Sequence, residues 1–262
     1  MAKAGERACD EILLVLALLL APATGWAQSR LDDIVAHGTL KVGLTGDYRP
    51  FSLLDKATGQ YSGLDVDMAN NLAESLGVKL KIVPTTWSTL LGDLNEGKFD
   101  VGMGGISVNL ARQKTAFFSH PVLRVGKTPI ARCADRARFQ TLAQIDRPGV
   151  KVIVNPGGTN EKFDRANLKQ AQIVVFPDNT RIFDELVTKR ADVMITDSVE
   201  TRLQQKLHPE LCALHPDQPF DYGELAYLLP RDIVLQQYVD QWLHLAMENG
   251  IWRRMLETYL GR

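Results

Sequence analysis

Strand and helix signals alternate along this chain from residue 39 and restart at residue 150, and that double alternation restricts its fold more than any other feature. Thr39–Leu44 alternates apolar and polar residues as a half-buried strand does. Asp65 then stands where it would cap a helix whose Ala69, Leu72, Ala73 and Leu76 share one face and whose stop is Gly77. Val78, Leu80 and Ile82 form a second alternating strand, Ser88 is placed to cap a short helix, and Phe99–Met103 reads as a buried strand. From residue 150 the order repeats: Val150–Val154, the Gly157–Gly158 turn, a helix over Thr159–Leu168, then strands at Ile173–Phe176 and Asp192–Thr196 around a helix through Phe183 and Leu186. Strand–helix units of this kind build a mostly parallel sheet with helices on its faces.

Two segments break the pattern. Val122–Lys127 contains a glycine and has no helical period, and a second crossing lies near Phe220–Leu225. The chain closes with an amphipathic helix (Leu235, Tyr238, Val239, Trp242, Leu243, Ala246) halted by Gly250. The expected architecture is α/β and two-lobed, with two hinge crossovers. Residues 28–126 and 222–262 form one lobe, and residues 127–221 form the other. Ligands of such sheets bind beyond the C-terminal ends of the strands.

Composition narrows the class. Thirty Lys plus Arg face thirty-one Asp plus Glu, a formal net charge of −1, which excludes a polybasic nucleic-acid binder and an acidic disordered chain. The long apolar run is Ile12–Leu20, preceded by Lys3 and Arg7 and followed by Pro22. It falls short of the about 20 residues a membrane anchor needs. It reads as a secretory signal over residues 1–27, with Gly25 and Ala27 as the small residues before the cut, although Glu6, Asp10 and Glu11 are unusual in such a leader. Its removal takes two basic and three acidic groups, leaving 28 of each sign in 235 residues and no membrane span. Two cysteines remain, Cys133 and Cys212, and an isolated pair in an oxidising compartment reads first as a disulfide. No Cys-x-x-Cys occurs and no two of the five histidines stand four apart, so neither a metal nor a cofactor is assigned.

Chemistry-bearing residues collect just after the strands. Tyr48 follows the first strand and Trp87 the second; Gly104, Gly105 and Ser107 follow the third, with Arg112 one turn later. In the second half, Asn155, Gly157, Gly158, Thr159 and Asn160 follow one strand, and Asp197 and Glu200 another. Glycines at a helix N-terminus leave N–H groups free for an anion, and an arginine adds a bidentate carboxylate contact. Tyr48 and Trp87 are expected to sandwich a flat or apolar group. Taken singly, each of these residues has a plainer use: Asp197 as a helix cap, Trp87 as core, Glu200 as a solvated helix face. Their joint placement at one edge favours a small anionic ligand.

The stretch Gly105-Ile-Ser107 to Arg112, then Phe118-Ser-His-Pro121, resembles the signature of the periplasmic polar amino-acid-binding proteins, as do Gly63-Leu-Asp-Val-Asp-Met68 and Ala191-Asp192. The resemblance implies a hinge-closing, two-lobed fold. It also implies that Arg112 grips an α-carboxylate, Asp197 takes the ammonium, and Tyr48 and Trp87 flank the side chain. Asn155-Pro-Gly-Gly-Thr-Asn-Glu-Lys-Phe163, His208-Pro-Glu-Leu-Cys212 and Tyr227-Leu-Leu-Pro-Arg-Asp232 are similar to the cyclohexadienyl dehydratases, an enzyme branch of that fold. That second resemblance implies a periplasmic carbon–oxygen lyase of aromatic amino-acid biosynthesis, converting prephenate to phenylpyruvate and arogenate to phenylalanine, without a cofactor. The substrate ring loses carbon dioxide and a hydroxide, and hydroxide needs a positioned acid to leave. Glu200 is expected to be that acid, with Asn160 hydrogen-bonded to it and Asn155 positioning the substrate. Arg112 would hold one substrate carboxylate. Asn155, Thr159 and the Gly157–Gly158 backbone would hold the other, with Gly105 and Ser107 completing the site. Asp197 suits an ammonium and conflicts with a dianion. The alternative is a non-catalytic receptor that delivers an amino acid to an ATP-driven importer.

Overall fold

The computed structural model describes residues 28–261; the expected signal at 1–27 lies outside them. Two sheets carry the structure. The first runs Lys79–Pro84, Thr39–Leu44, Val101–Ser107, Gly223–Leu229, Phe117–Phe118, with Leu123–Val125 also paired to Gly223–Leu229. The second runs Gln172–Val175, Lys151–Val154, Val193–Asp197, Lys127–Arg132, Leu211–Ala213. In the first sheet Leu40 lies beside Leu80 and Val42 beside Ile82, in parallel register. Leu40, Val42 and Leu44 are wholly buried. Gly43 admits no side chain because the Phe99 ring stands 2.6 Å from where its Cβ would be.

Each sheet is parallel where it is made of strand–helix units and antiparallel where the chain crosses between sheets. Gly223–Leu229 runs antiparallel to Val101–Ser107, and Lys127–Arg132 antiparallel to Val193–Asp197. The unit-by-unit reading therefore holds for three strands of each sheet. The crossings meet at Gly126, whose carbonyl accepts from Ser198 N (2.9 Å), while Lys127 N donates to Asp221 Oδ1 (2.6 Å). A Cβ on Gly126 would stand 2.2 Å from the Asp221 carbonyl oxygen, so the crossing needs glycine.

Four local expectations change. Asp65 does not cap its helix, Leu64–Ser75; Gly63 occupies that place at φ 130°, where a Cβ would lie 2.4 Å from the Phe51 carbonyl oxygen. Asp65 sits one residue inside, fully buried, and its Oδ2 accepts from Gly104 N (2.8 Å) and Gly105 N (2.9 Å). The third strand therefore does not end at Met103 but continues through both glycines to Ser107. Burial pushes the Asp65 carboxyl up to about 6 against these bonds and that from the Tyr227 hydroxyl. Ser88 does not cap the helix Leu90–Asn95, which follows reciprocal Thr86–Thr89 hydroxyl bonds. The last helical region is two helices, Ile233–Glu248 and Ile251–Leu260, divided at Gly250.

Cys133 and Cys212 form a disulfide at the outer edge of the second sheet, joining the end of Lys127–Arg132 to Leu211–Ala213. Among the described residues no helix is long and apolar enough to cross a membrane. Replacing both cysteines with serine is expected to cost about 2–4 kcal/mol in urea unfolding. Specific activity at 25 °C should be unchanged, because the bond lies at the edge of the sheet away from the cleft.

Candidate functional site

The C-terminal ends of the parallel strands of both sheets face one another across a cleft. Tyr48, Trp87, Gly105 and Ser107 come from the first sheet's side. Asn155, Gly158, Thr159, Asn160, Asn179 and Asp197 come from the second's, and together they enclose a cavity of about 20 Å³. Nine of the eleven residues expected at the site line it; Arg112 and Glu200 stand behind the wall, and Asn179 is an addition. Contacts cross the cleft directly: Tyr48 OH donates to Asp197 Oδ2 (2.8 Å), Asn179 Nδ2 to the Asp47 carbonyl (3.0 Å), and the Ser107 and Thr159 hydroxyls meet at 3.0 Å. An exposed ion pair, Lys56–Asp178 at 3.0 Å, spans the rim.

On the first side the geometry departs from a sandwich. Tyr48 and Trp87 meet edge to face, ring centroids 5.8 Å apart, and so form a corner rather than two parallel walls. Trp87 Nε1 donates to Asp47 Oδ1 (3.0 Å), which fixes the indole, and burial raises the Asp47 carboxyl. Arg112 is 7% exposed in the helix Leu110–Gln113, capped by the Asn109 side chain, and its Nη1 donates to the Ser107 carbonyl (2.8 Å). Burial brings its guanidinium down to about 10, which leaves it charged at neutral pH.

On the second side, the Gly157–Asn160 cradle is partly spoken for, since Gly157 N donates to Glu161 Oε2 (2.7 Å). The helix Thr159–Asn167 has no side-chain cap, so its next N–H groups remain available. Gly157, at φ 79°, passes so close to Ser88 that a Cβ would overlap its hydroxyl at 2.1 Å. Asn155 is buried, and its Oδ1 has no hydrogen-bond partner among the described residues.

Besides Asn179, the sequence reading missed Lys127. It is 5% exposed and lies opposite Asp197 in the antiparallel register of the second sheet. Its Nζ donates to Asp197 Oδ1 (2.7 Å), to Thr159 Oγ1 (3.1 Å) and to Asn160 Oδ1. No motif signals it, because the pairing arises only when the crossover strand inserts beside Val193–Asp197. Asp197 stands at the helix start, but its side chain caps nothing, being held by Lys127 and Tyr48.

A chain of donors leads from Lys127 to Glu200. Lys127 donates to Asn160 Oδ1, Asn160 Nδ2 to Thr196 Oγ1 (3.0 Å), and Thr196 Oγ1 to Glu200 Oε2 (2.5 Å). The expected direct bond between Asn160 and Glu200 is thus replaced by one through the Thr196 hydroxyl, and both residues belong to the same side of the cleft. Glu200 is 2% exposed; burial pushes its carboxyl up to about 8, the Asp197 charge adding to the rise while Thr196 and Lys127 oppose it. At neutral pH the group is therefore an acid. With Oε2 engaged by the Thr196 hydroxyl, Oε1 is the oxygen left to carry the acid's own proton without displacing that bond.

A carboxyl raised in the folded state keeps a proton that the unfolded chain gives up above about 4.5, so folding loses stability as pH rises from there to about 8. The slope from Glu200 is at most about 1.4 kcal/mol per pH unit. Glu200→Gln should therefore unfold at higher urea than the unmodified protein at pH 8. The difference should shrink towards pH 5, as a pH series of urea titrations would record.

The chain matches the bacterial extracellular solute-binding proteins of family 3 over residues 40–262. It is 57% identical over 250 residues to the cyclohexadienyl dehydratase of Pseudomonas aeruginosa, covering 95% of this chain and 93% of that protein. The crystal structure of an ancestral amino acid-binding protein, a precursor of cyclohexadienyl dehydratase, superposes with a TM-score of 0.82 at 35% identity, over 88% of this chain and 100% of that one. An ancestral cyclohexadienyl dehydratase superposes with a TM-score of 0.58 at 50% identity, over 90% of this chain and 98% of that one.

Proposed function

We propose that this chain, which belongs to family 3 of the bacterial extracellular solute-binding proteins, uses the ligand cleft of that family as an active site. It is a carbon–oxygen lyase that converts prephenate to phenylpyruvate and arogenate to phenylalanine, and it acts in the periplasm after loss of its leader. One observation carries the reading: a buried carboxyl, Glu200, held in its acid form at the end of a donor chain beside the cleft. A protein that only holds and releases an amino acid needs no such acid. The 57% identity to a cyclohexadienyl dehydratase supports the same reading.

The residues divide the work as follows. Arg112 holds one substrate carboxylate, and the free N–H groups at the start of Thr159–Asn167 hold the other with Thr159. The Asn155 side-chain oxygen, unpartnered and buried, accepts a hydrogen bond from the ring C4 hydroxyl and so turns that oxygen's lone pair towards Glu200. The C1–carboxylate bond breaks, its electron pair entering the ring as carbon dioxide departs. The C4–O bond breaks with it, and Glu200 Oε1 delivers its proton, so that water leaves in place of hydroxide. The product ring is aromatic; Glu200 is left as a carboxylate and regains its proton from solvent. Lys127 and Asn160 act through Thr196, keeping the Glu200 proton on the oxygen that faces the substrate.

A cavity of about 20 Å³ has room for roughly one water, far less than a ten-carbon substrate. Entry therefore requires the two lobes to part at the Gly126–Lys127 and Asp221 crossings, and closure expels water before reaction. The lower superposition of the more similar ancestral dehydratase is in keeping with two lobes set at different angles.

Mixing the protein with prephenate and following the ultraviolet absorbance of phenylpyruvate tests the function. Flat absorbance together with thermal stabilisation by amino acids would favour the receptor reading. Glu200→Gln should lower kcat by about 10²–10⁴-fold with KM changed far less. In the unmodified enzyme kcat should fall above pH of about 8 as Glu200 ionises, and that fall should be absent from the residual activity of the variant. Near-normal turnover in folded Glu200→Gln would remove Glu200 from this role.

A further inference from the structure

We propose that the Lys127–Asp197 pair sets the ratio in which the cleft uses its two ring substrates, Lys127 favouring prephenate and Asp197 favouring arogenate. The proposal rests on the dehydratase reading above. The two substrates share both carboxylates and the ring hydroxyl. They differ at one atom of the side chain, a keto oxygen in prephenate and an ammonium in arogenate. Discrimination therefore reduces to whether the cleft wall offers that position a net negative charge.

The wall offers almost none, and the reason is geometric. Asp197 is 4% exposed and Lys127 5%, so neither charge is screened by bulk water. Asp197 Oδ1 is engaged by Lys127 Nζ at 2.7 Å, and Oδ2 by the Tyr48 hydroxyl at 2.8 Å from across the cleft. An incoming ammonium must share a carboxylate that already holds one cation. Lys127 in turn spends its three protons on Asp197, Thr159 and Asn160. The longest of its bonds, 3.1 Å to Thr159 Oγ1, ends on a cavity-lining hydroxyl, and that is the one a substrate carboxylate would take over. An unpaired aspartate here would repel a dianion. The pairing explains how a cleft that retains this aspartate can accept prephenate at all.

The two residues therefore pull the ratio in opposite directions, which a merely structural role for the pair would not do. The test is kcat/KM for prephenate and for arogenate on the unmodified chain, Lys127→Met and Asp197→Asn. Both substrates are measured on the same preparation, so the folded fraction cancels, as does any common loss through Asn160 and Glu200. Lys127→Met should lower the prephenate-to-arogenate ratio at least tenfold, and Asp197→Asn should raise it. Ratios that stay within twofold in both variants, or that move in the same direction, overturn the proposal while leaving the dehydratase reading standing. An unmodified protein that turns over neither substrate would overturn that reading itself.

Discussion

A buried ammonium organises this cleft. Lys127 Nζ is enclosed at a point where three neighbouring acceptors converge, drawn from two elements of the second sheet's side. Asp197 ends one strand; Thr159 and Asn160 open the helix that follows another. Removing an ion from water is costly unless its partners are well placed. Here the partners are placed by backbone register, since Lys127 and Asp197 lie opposite each other in the ladder. Tyr48 then brings the first sheet's side to the same carboxylate.

The same cation reaches the Glu200 carboxyl through two intermediate groups. The Asn160 amide is oriented by Lys127, the Thr196 hydroxyl by Asn160, and the Glu200 carboxyl by Thr196. Donors in series polarise one another, and the direction is set by the end that can only donate, which is the ammonium. Beneath the first side, Asp65 plays a comparable part for Gly104 and Gly105, whose amide groups it holds while the Phe51 and Tyr48 rings exclude any side chain at position 105.

Much of the site was legible because parallel α/β sheets deliver their strand ends to one edge. Reading off the residues after each strand found Tyr48, Trp87, Gly105, Ser107, Asn155, Gly158, Thr159, Asn160 and Asp197, all on the cavity wall. The failures share a cause. Asp65 was read as a cap because caps are local, whereas its partners lie 39 and 40 residues away. Lys127 carries no local signal, because a crossover segment has no strand–helix period to mark it. The Tyr48–Trp87 sandwich became a corner because Trp87 is turned by its bond to Asp47.

What the amino-acid order determined alone is the alternation of the parallel strands with their helices, the two segments that break it, the cysteine pair and the set of polar residues delivered to the strand ends. These follow from periodicity and from backbone geometry, which act over a few residues. Tertiary structure decided the charges. Glu200 is an acid only because packing removes it from water, and Asp197 is neutralised only because an antiparallel strand from elsewhere in the chain sets Lys127 against it. Desolvation and pairing depend on what surrounds a group in space, and neither is a property of its neighbours in sequence.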